Sequence, residues 1–124
     1  MTRAAFPAGA LAALRDARIL RLRAGGRHRF IGIWAVALGR RVFVRSWSLT
    51  PGGWWDTLRR DPHGAVRMGR RTLAVRAVHT RSERLRREVD GAYLDKYGRG
   101  ASRRYALDLT RARSRGTTTE LVPR

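Results

Sequence analysis

The chain of 124 residues contains no cysteine, one lysine (Lys96), three histidines and nine carboxylates. Without cysteine there are no disulfides, thiolate nucleophiles or cysteine-ligated metals. His28, His63 and His79 lie far apart and show no metal-ligand spacing, so no metal site is expected. No stretch approaches the ~20 apolar residues that cross a bilayer. Residues 4–14 are apolar, but they lack a basic leader and a cleavage site and run directly into Arg15-Asp16. They read as a short amphipathic helix rather than a signal peptide, and the expected location is the cytoplasm. No carboxylate pair points to glycosidase chemistry, and no Ser-His-Asp arrangement can be read from the order of residues.

What is present is apolar content and arginine. A hydrophobic fraction of 43% argues against general disorder, and the length fits a single domain over residues 1–124. Lys and Arg number 28 against nine Asp and Glu, a net charge of +19. Such a field steers anions whatever the fold. Clustered arginine would indicate a nucleic-acid partner. Here arginine is spread along the whole sequence, and its excess over lysine in an Ala- and Gly-rich chain suggests biased codon usage. An anionic small molecule is therefore the favoured partner and nucleic acid the less favoured one.

The local pattern predicts mainly β structure with flanking helices, an α+β chain. Residues 8–18 read as a helix after Pro7. Residues 19–23 alternate apolar with basic, as in a half-exposed strand, and Ala24-Gly25-Gly26-Arg27 is a turn signal. Residues 30–38 are apolar on both faces, the pattern of one covered strand. After Gly39-Arg40, residues 42–48 form a second strand whose one face changes from Val42 and Val44 to Ser46 and Ser48, leaving the core for a polar site. The loop 49–53 leads into a tryptophan-led helix that must stop near Asp61, because Pro62 disfavours helical geometry before it. Residues 65–68 and 73–78 read as a strand pair about Gly69. Thr80-Arg81-Ser82-Glu83 matches a capping box that opens a helix with a stripe of Leu85, Val89, Ala92, Tyr93 and Tyr97. Three i,i+4 pairs, Glu83–Arg87, Arg84–Glu88 and Arg86–Asp90, are expected along it. Residues 99–116 are expected as a mobile arginine-rich loop, and residues 117–122 as a last strand.

The ordered set Ile33-Trp34-Ala35-Val36, Val42-Phe43-Val44-Arg45-Ser46, Trp54-Trp55, Asp61-Pro62 and Leu121-Val122-Pro123-Arg124 resembles the FMN- and deazaflavin-binding split barrels. That superfamily includes pyridoxamine-phosphate-oxidase-like and deazaflavin-dependent nitroreductase-like proteins, and the closest resemblance is to the bacterial domain of unknown function 2255. The resemblance implies a six-stranded split β-barrel of the flavin-reductase/pyridoxamine-phosphate-oxidase type, often a homodimer. It also implies FMN or a deazaflavin as cofactor and a small oxidoreductase activity. Carried over by position, Arg45, Ser46 and Ser48 would meet the cofactor phosphate, with Trp54, Trp55 and Arg59 where the loop and helix close over it. The alternative is a split-barrel module without catalysis that binds another anion or a protein partner, since loop 49–53 carries no cation.

Two readings of the residues themselves stay open. Arg45, Ser46 and Ser48 either hold a phosphate through charge-assisted bonds, or Arg45 pairs with Asp56 or Asp61 and the serines end a strand. Trp34 reads as core; Trp54 is the better ligand-stacking candidate, with Trp55 turned inward. Tyr93 and Tyr97 read as core, whereas Tyr105 reaches a site only if the arginine-rich segment folds over it. His63 reads as a turn residue. No catalytic residue is assigned, because in such a protein the cofactor carries the chemistry.

Overall fold

The computed structural model describes residues 4–26 and 28–124, so Arg27 of the expected first turn lies outside the described residues. The strands are β1 (Leu20–Ala24), β2 (Ile31–Ile33), β3 (Ala35–Leu38), β4 (Arg41–Val44), β5 (His63–Met68), β6 (Arg71–His79) and β7 (Thr119–Pro123). They form one antiparallel sheet in the order β2-β1-β5-β6-β7-β4-β3. The two ends of that order, β2 and β3, are consecutive in the chain and separated by Trp34 alone, so the sheet curls into a nearly closed barrel. Seven strands stand where six were expected, because the apolar run 30–38 is divided. Its first half pairs with β1 from Leu22↔Ile31 to Leu20↔Ile33, and its second half pairs with β4 from Leu38↔Arg41 to Ala35↔Val44.

The division has a local cause. The pair after Ala35↔Val44 would be Trp34 with Arg45, but the Tyr93 hydroxyl lies between them. It accepts the Arg45 backbone N–H at 3.0 Å and donates to the Trp34 carbonyl at 2.8 Å. The next carbonyl, that of Ala35, accepts from Lys96 Nζ at 2.7 Å. Both side chains come from α3 (Glu83–Tyr97), whose Tyr97 ring also stacks on Trp34 with centroids 4.1 Å apart and planes 1° from parallel. Side chains of a helix thus satisfy backbone groups that a neighbouring strand would otherwise take, which a buried segment requires.

Inside the barrel, Leu20, Leu22, Val42, Val44, Val66, Val75 and Leu121 form the core. Each such side chain contributes about 1.5–3 kcal/mol on burial. Phe6 with Ala10 and Leu14 of α1 (Ala8–Asp16) joins that core, as does Leu58 of α2 (Trp54–Arg60). A second core lies outside the barrel wall. There Val36 and Phe43 pack against Val89, Tyr93 and Tyr97 of α3, and against Ala106 of α4 (Arg103–Asp108) with Leu109.

Several expectations need correction. The cap of α3 is Ser82, whose hydroxyl accepts the Leu85 N–H at 3.3 Å. The reciprocal half of the expected box is also missing, because the Thr80 N–H that Glu83 would meet donates to the Thr118 carbonyl. The expected pairs along α3 give way to longer-range ones: Arg115 binds both Glu83 and Asp90, and Arg45 binds Asp90. Residues 99–116 are largely helical, a 3-10 turn at Gly100–Ser102 followed by α4 and by α5 (Ala112–Arg115). Ala106, Leu109 and Ser114 anchor that segment by burial. The second strand ends at Val44, ahead of the expected Ser48.

Replacing Tyr93 by Phe leaves the Arg45 N–H and the Trp34 carbonyl buried without their partner. Chemical denaturation should show a loss of about 1–3 kcal/mol, above the ~1 kcal/mol of an ordinary hydrogen bond.

Candidate functional site

Past Val44 the chain leaves the ladder and runs irregularly from Arg45 to Thr50, with a bend at Trp47. Ser46 keeps one anchor, its N–H donating to Thr117 Oγ1 at 2.8 Å, and its hydroxyl donates to the Ser48 carbonyl. Ser48 and Thr50 share a hydroxyl–hydroxyl bond of 2.9 Å. The chain then turns through Gly52, whose φ of +77° favours glycine. Asp56 fixes this turn. Its Oδ2 accepts the Gly52 N–H at 2.9 Å, and that bond, ahead of the nearby Arg60 and Arg59, holds the carboxyl below its ordinary range. Trp54 and Trp55 open α2 immediately afterwards.

This segment forms one wall of a cavity of about 380 Å³, within the size range of small-molecule sites. The split run Ile31 to Trp34 forms a second wall, and Tyr105 and Leu109, from and beside α4, a third. The lining is chiefly apolar and aromatic, with the hydroxyls of Ser46, Ser48, Thr50 and Tyr105 and the charged Arg45 and Asp56 as polar groups. Four large apolar side chains stand exposed around it: Trp47 at 59%, Leu49 and Tyr105 at 45%, and Ile31 at 38%. Trp47 meets Tyr105 edge-on at 6.3 Å, and its indole N–H points to Asp108 at 3.4 Å.

The site residues expected from sequence fare differently. Ser46, Ser48 and Trp54 all line the cavity, and Trp54 also packs against the barrel core. Trp55 lines it too and meets His79 edge-on at 6.2 Å, so neither tryptophan is simply inward or outward. Arg59 lies outside the lining, stacked 5.0 Å over the Trp55 ring and 3.5 Å from Asp56. Arg104 holds the same relation to Tyr105, at 5.3 Å.

Arg45 is the instructive case. Its side chain is wholly buried and its donors are engaged: Nε to Thr118 Oγ1 at 2.8 Å, Nη1 to Asp90 and to the Leu109 carbonyl, Nη2 to the Arg86 carbonyl at 2.8 Å. Burial pushes the guanidinium below its ordinary value, while the bond to Asp90 opposes that shift. The carboxylate partner is Asp90, not Asp56 or Asp61. Tyr93 and Tyr97 are core groups with phenols raised by burial, Tyr97 to about 12. His63 is exposed at the start of β5, 3.2 Å from Asp61.

Sequence reasoning passed over Ile31, Leu49 and Leu109 as lining residues and Asp56 as the loop anchor. For Asp56 a signal existed, a carboxylate three residues after Gly53 in the first turn of a helix. For the others none did, because their neighbours are set by the curl of the sheet.

A barrel split along one seam, with a cavity at the split and helices packed outside it, defines a split barrel of the pyridoxamine-phosphate-oxidase type. Residues 9–121 match the model of the family described as "Uncharacterized protein conserved in bacteria (DUF2255)", and the chain belongs to that family. No curated protein matches it. Among solved structures it is similar to a candidate pyridoxamine 5'-phosphate oxidase from Listeria innocua, with 14% identity over 94% of this chain and 90% of that one and a TM-score of 0.61. It is also similar to a FAD-binding protein from Mesorhizobium loti, with 15% identity over 99% and 92% of the two chains and a TM-score of 0.51. At these identities the similarity is one of fold.

Arg45→Ala would leave Asp90 partly buried with one partner fewer and three further acceptors, Thr118 Oγ1 and the Arg86 and Leu109 carbonyls, without this donor. Breaking a buried pair costs about 3–5 kcal/mol. Thermal melting should therefore show a large drop, and Arg45→Lys, which lacks the planar fork, should not rescue it.

Proposed function

We propose that the cavity holds a planar heteroaromatic cofactor of the flavin type, FMN or a deazaflavin, and that the chain serves as a small oxidoreductase built around it. The observation that carries the reading is the aromatic, largely apolar cavity placed where β4 leaves the ladder. The fold shared with a FAD-binding protein lends support. The donor set fits the ring end of such a molecule: Trp54 and Trp55 offer stacking faces, and the hydroxyls of Ser46, Ser48 and Thr50 offer hydrogen bonds along one edge. Arg45 is committed to the fold through four of its five N–H groups, which favours other cations for the phosphate. Cations for an anionic tail stand at the rim, Arg59 on Trp55 and Arg104 on Tyr105. Tyr105 is the phenol beside the cavity, placed to hold a proton at its Oη for a bound substrate. A flavin-type ring, when bound, supplies hydride or electron transfer; the protein contributes orientation, a dry wall and the rim charge.

A second reading, a module that binds another anion or a protein partner without catalysis, is favoured by one feature. The single cation of the lining among the described residues, Arg45, is engaged in the fold.

Fluorescence titration of the protein with riboflavin, FMN and a deazaflavin at about 0.3 M salt separates the two, since loose charge attraction is screened at that strength. Saturable binding is expected, weakened about three- to tenfold by Trp54→Ala through loss of stacking. Arg59→Ala should weaken FMN while leaving riboflavin unchanged. Absence of saturable binding by all three would remove the cofactor reading and leave the second.

A further inference from the structure

The outer surface of the barrel is unequal. Over β3 and β4 it is covered by α3 and α4, whereas over β1, β5 and β6 it carries outward-facing arginines. Leu22, Val66, Leu73 and Val75 point into the barrel core, so their alternates Arg21, Arg23, Ala65, Arg67, Thr72, Ala74 and Arg76 share the outside. Arginines spread evenly in sequence are thereby gathered in space. Neighbouring strands lie about 4.8 Å apart and same-face residues about 7 Å apart.

The cluster is uncompensated. No carboxylate occurs from residue 17 to 55 or from 62 to 82. Among the described residues none of Arg21, Arg23, Arg67 and Arg76 has a carboxylate partner, and Asp61, which adjoins the face, contacts His63. Arg21 and Arg67 stand directly opposite each other, an arrangement that destabilises a sheet unless an anion sits between. The Arg23 and Arg67 guanidinium groups lie 4.9 and 4.0 Å from the Phe30 ring centroid. Arg23 Nε is buried with no hydrogen-bond partner among the described residues.

We propose that this face of β1, β5 and β6 binds the phosphodiester backbone of nucleic acid, independently of the cavity. Arg21, Arg23, Arg67 and Arg76 neutralise phosphates, and Phe30 holds two of the forks at fixed spacing. A membrane surface fits less well, because Ala65, Thr72 and Ala74 stand between the arginines, the Phe30 ring is covered by two guanidinium groups, and Ile19 at the edge is a single apolar side chain to insert. The contacts read no bases, so binding is indifferent to sequence and steeply dependent on salt.

The test is fluorescence anisotropy of the full chain with labelled single-stranded and duplex oligonucleotides of mixed sequence, across about 0.05–0.3 M salt. Four phosphate contacts give a slope of log affinity against log salt near −3 for a single strand and near −4 for a duplex, and the form bound more tightly at equal salt is the preferred partner. The triple variant Arg21→Ala/Arg67→Ala/Arg76→Ala should bind at least about tenfold more weakly with a slope reduced by about 2 to 3. Arg81→Ala/Arg84→Ala/Arg87→Ala, which removes the same charge from the start of α3, should change affinity far less. Equal losses in both triples would overturn the proposal by reducing it to net charge. So would stronger, face-dependent binding to phosphatidylserine vesicles than to either oligonucleotide. Should the triple variant not fold, Arg76→Ala alone, away from the Phe30 stack, should still reduce the slope by about 0.7 to 0.9.

Discussion

The Tyr93 hydroxyl between the Trp34 carbonyl and the Arg45 N–H is the contact on which the rest of the structure turns. It stands where the β3–β4 ladder would otherwise continue, and so decides where the barrel opens. Upstream of it the run 31–38 changes partner from β1 to β4. Downstream of it the chain leaves the sheet and builds the loop that walls the cavity. The barrel seam and the candidate site are therefore one feature, produced by a helical side chain in place of a strand.

Arg45 secures the same junction from the other side. Its backbone meets Tyr93, and its side chain reaches Asp90 on α3, Thr118 before β7 and the Leu109 carbonyl beyond α4. A cation so buried is tolerated because four of its five N–H groups meet oxygens, one of them a carboxylate. It ties three separate parts of the chain to the strand end. In the split-barrel resemblance this position belongs to the cofactor phosphate; in this chain the interior has claimed it.

What could be read from sequence was whatever local chemistry decides. The helix Trp54–Arg60 has the expected bounds because Gly52-Gly53 precedes it and Asp61-Pro62 follows. The hairpin about Gly69 and the stripe of Val89, Tyr93 and Tyr97 are equally local. The break at Trp34 was not legible, since nothing in an apolar run says that a tyrosine some sixty positions later will take its carbonyl. The fate of Arg45 was hidden for the same reason: two nearby aspartates were plausible partners, and the actual one lies 45 residues away. Of the candidate site, the serines and tryptophans were visible as a polarity change and a loop. The opposite walls were not, because they depend on the curl of the sheet.

The place of β7 carries a consequence for how the chain comes to be folded. Thr119–Pro123 is the final strand in sequence, yet it pairs with β6 on one side and β4 on the other, in the interior of the sheet order. Until it leaves the ribosome, the sheet exists as two pieces, β2-β1-β5-β6 and β4-β3, each with an unpaired inner edge. Such edges are templates for pairing with other chains, and the missing pairs are long-range contacts that form slowly. Two edges therefore stay open until β7 is available, and the barrel closes only when that strand enters between them.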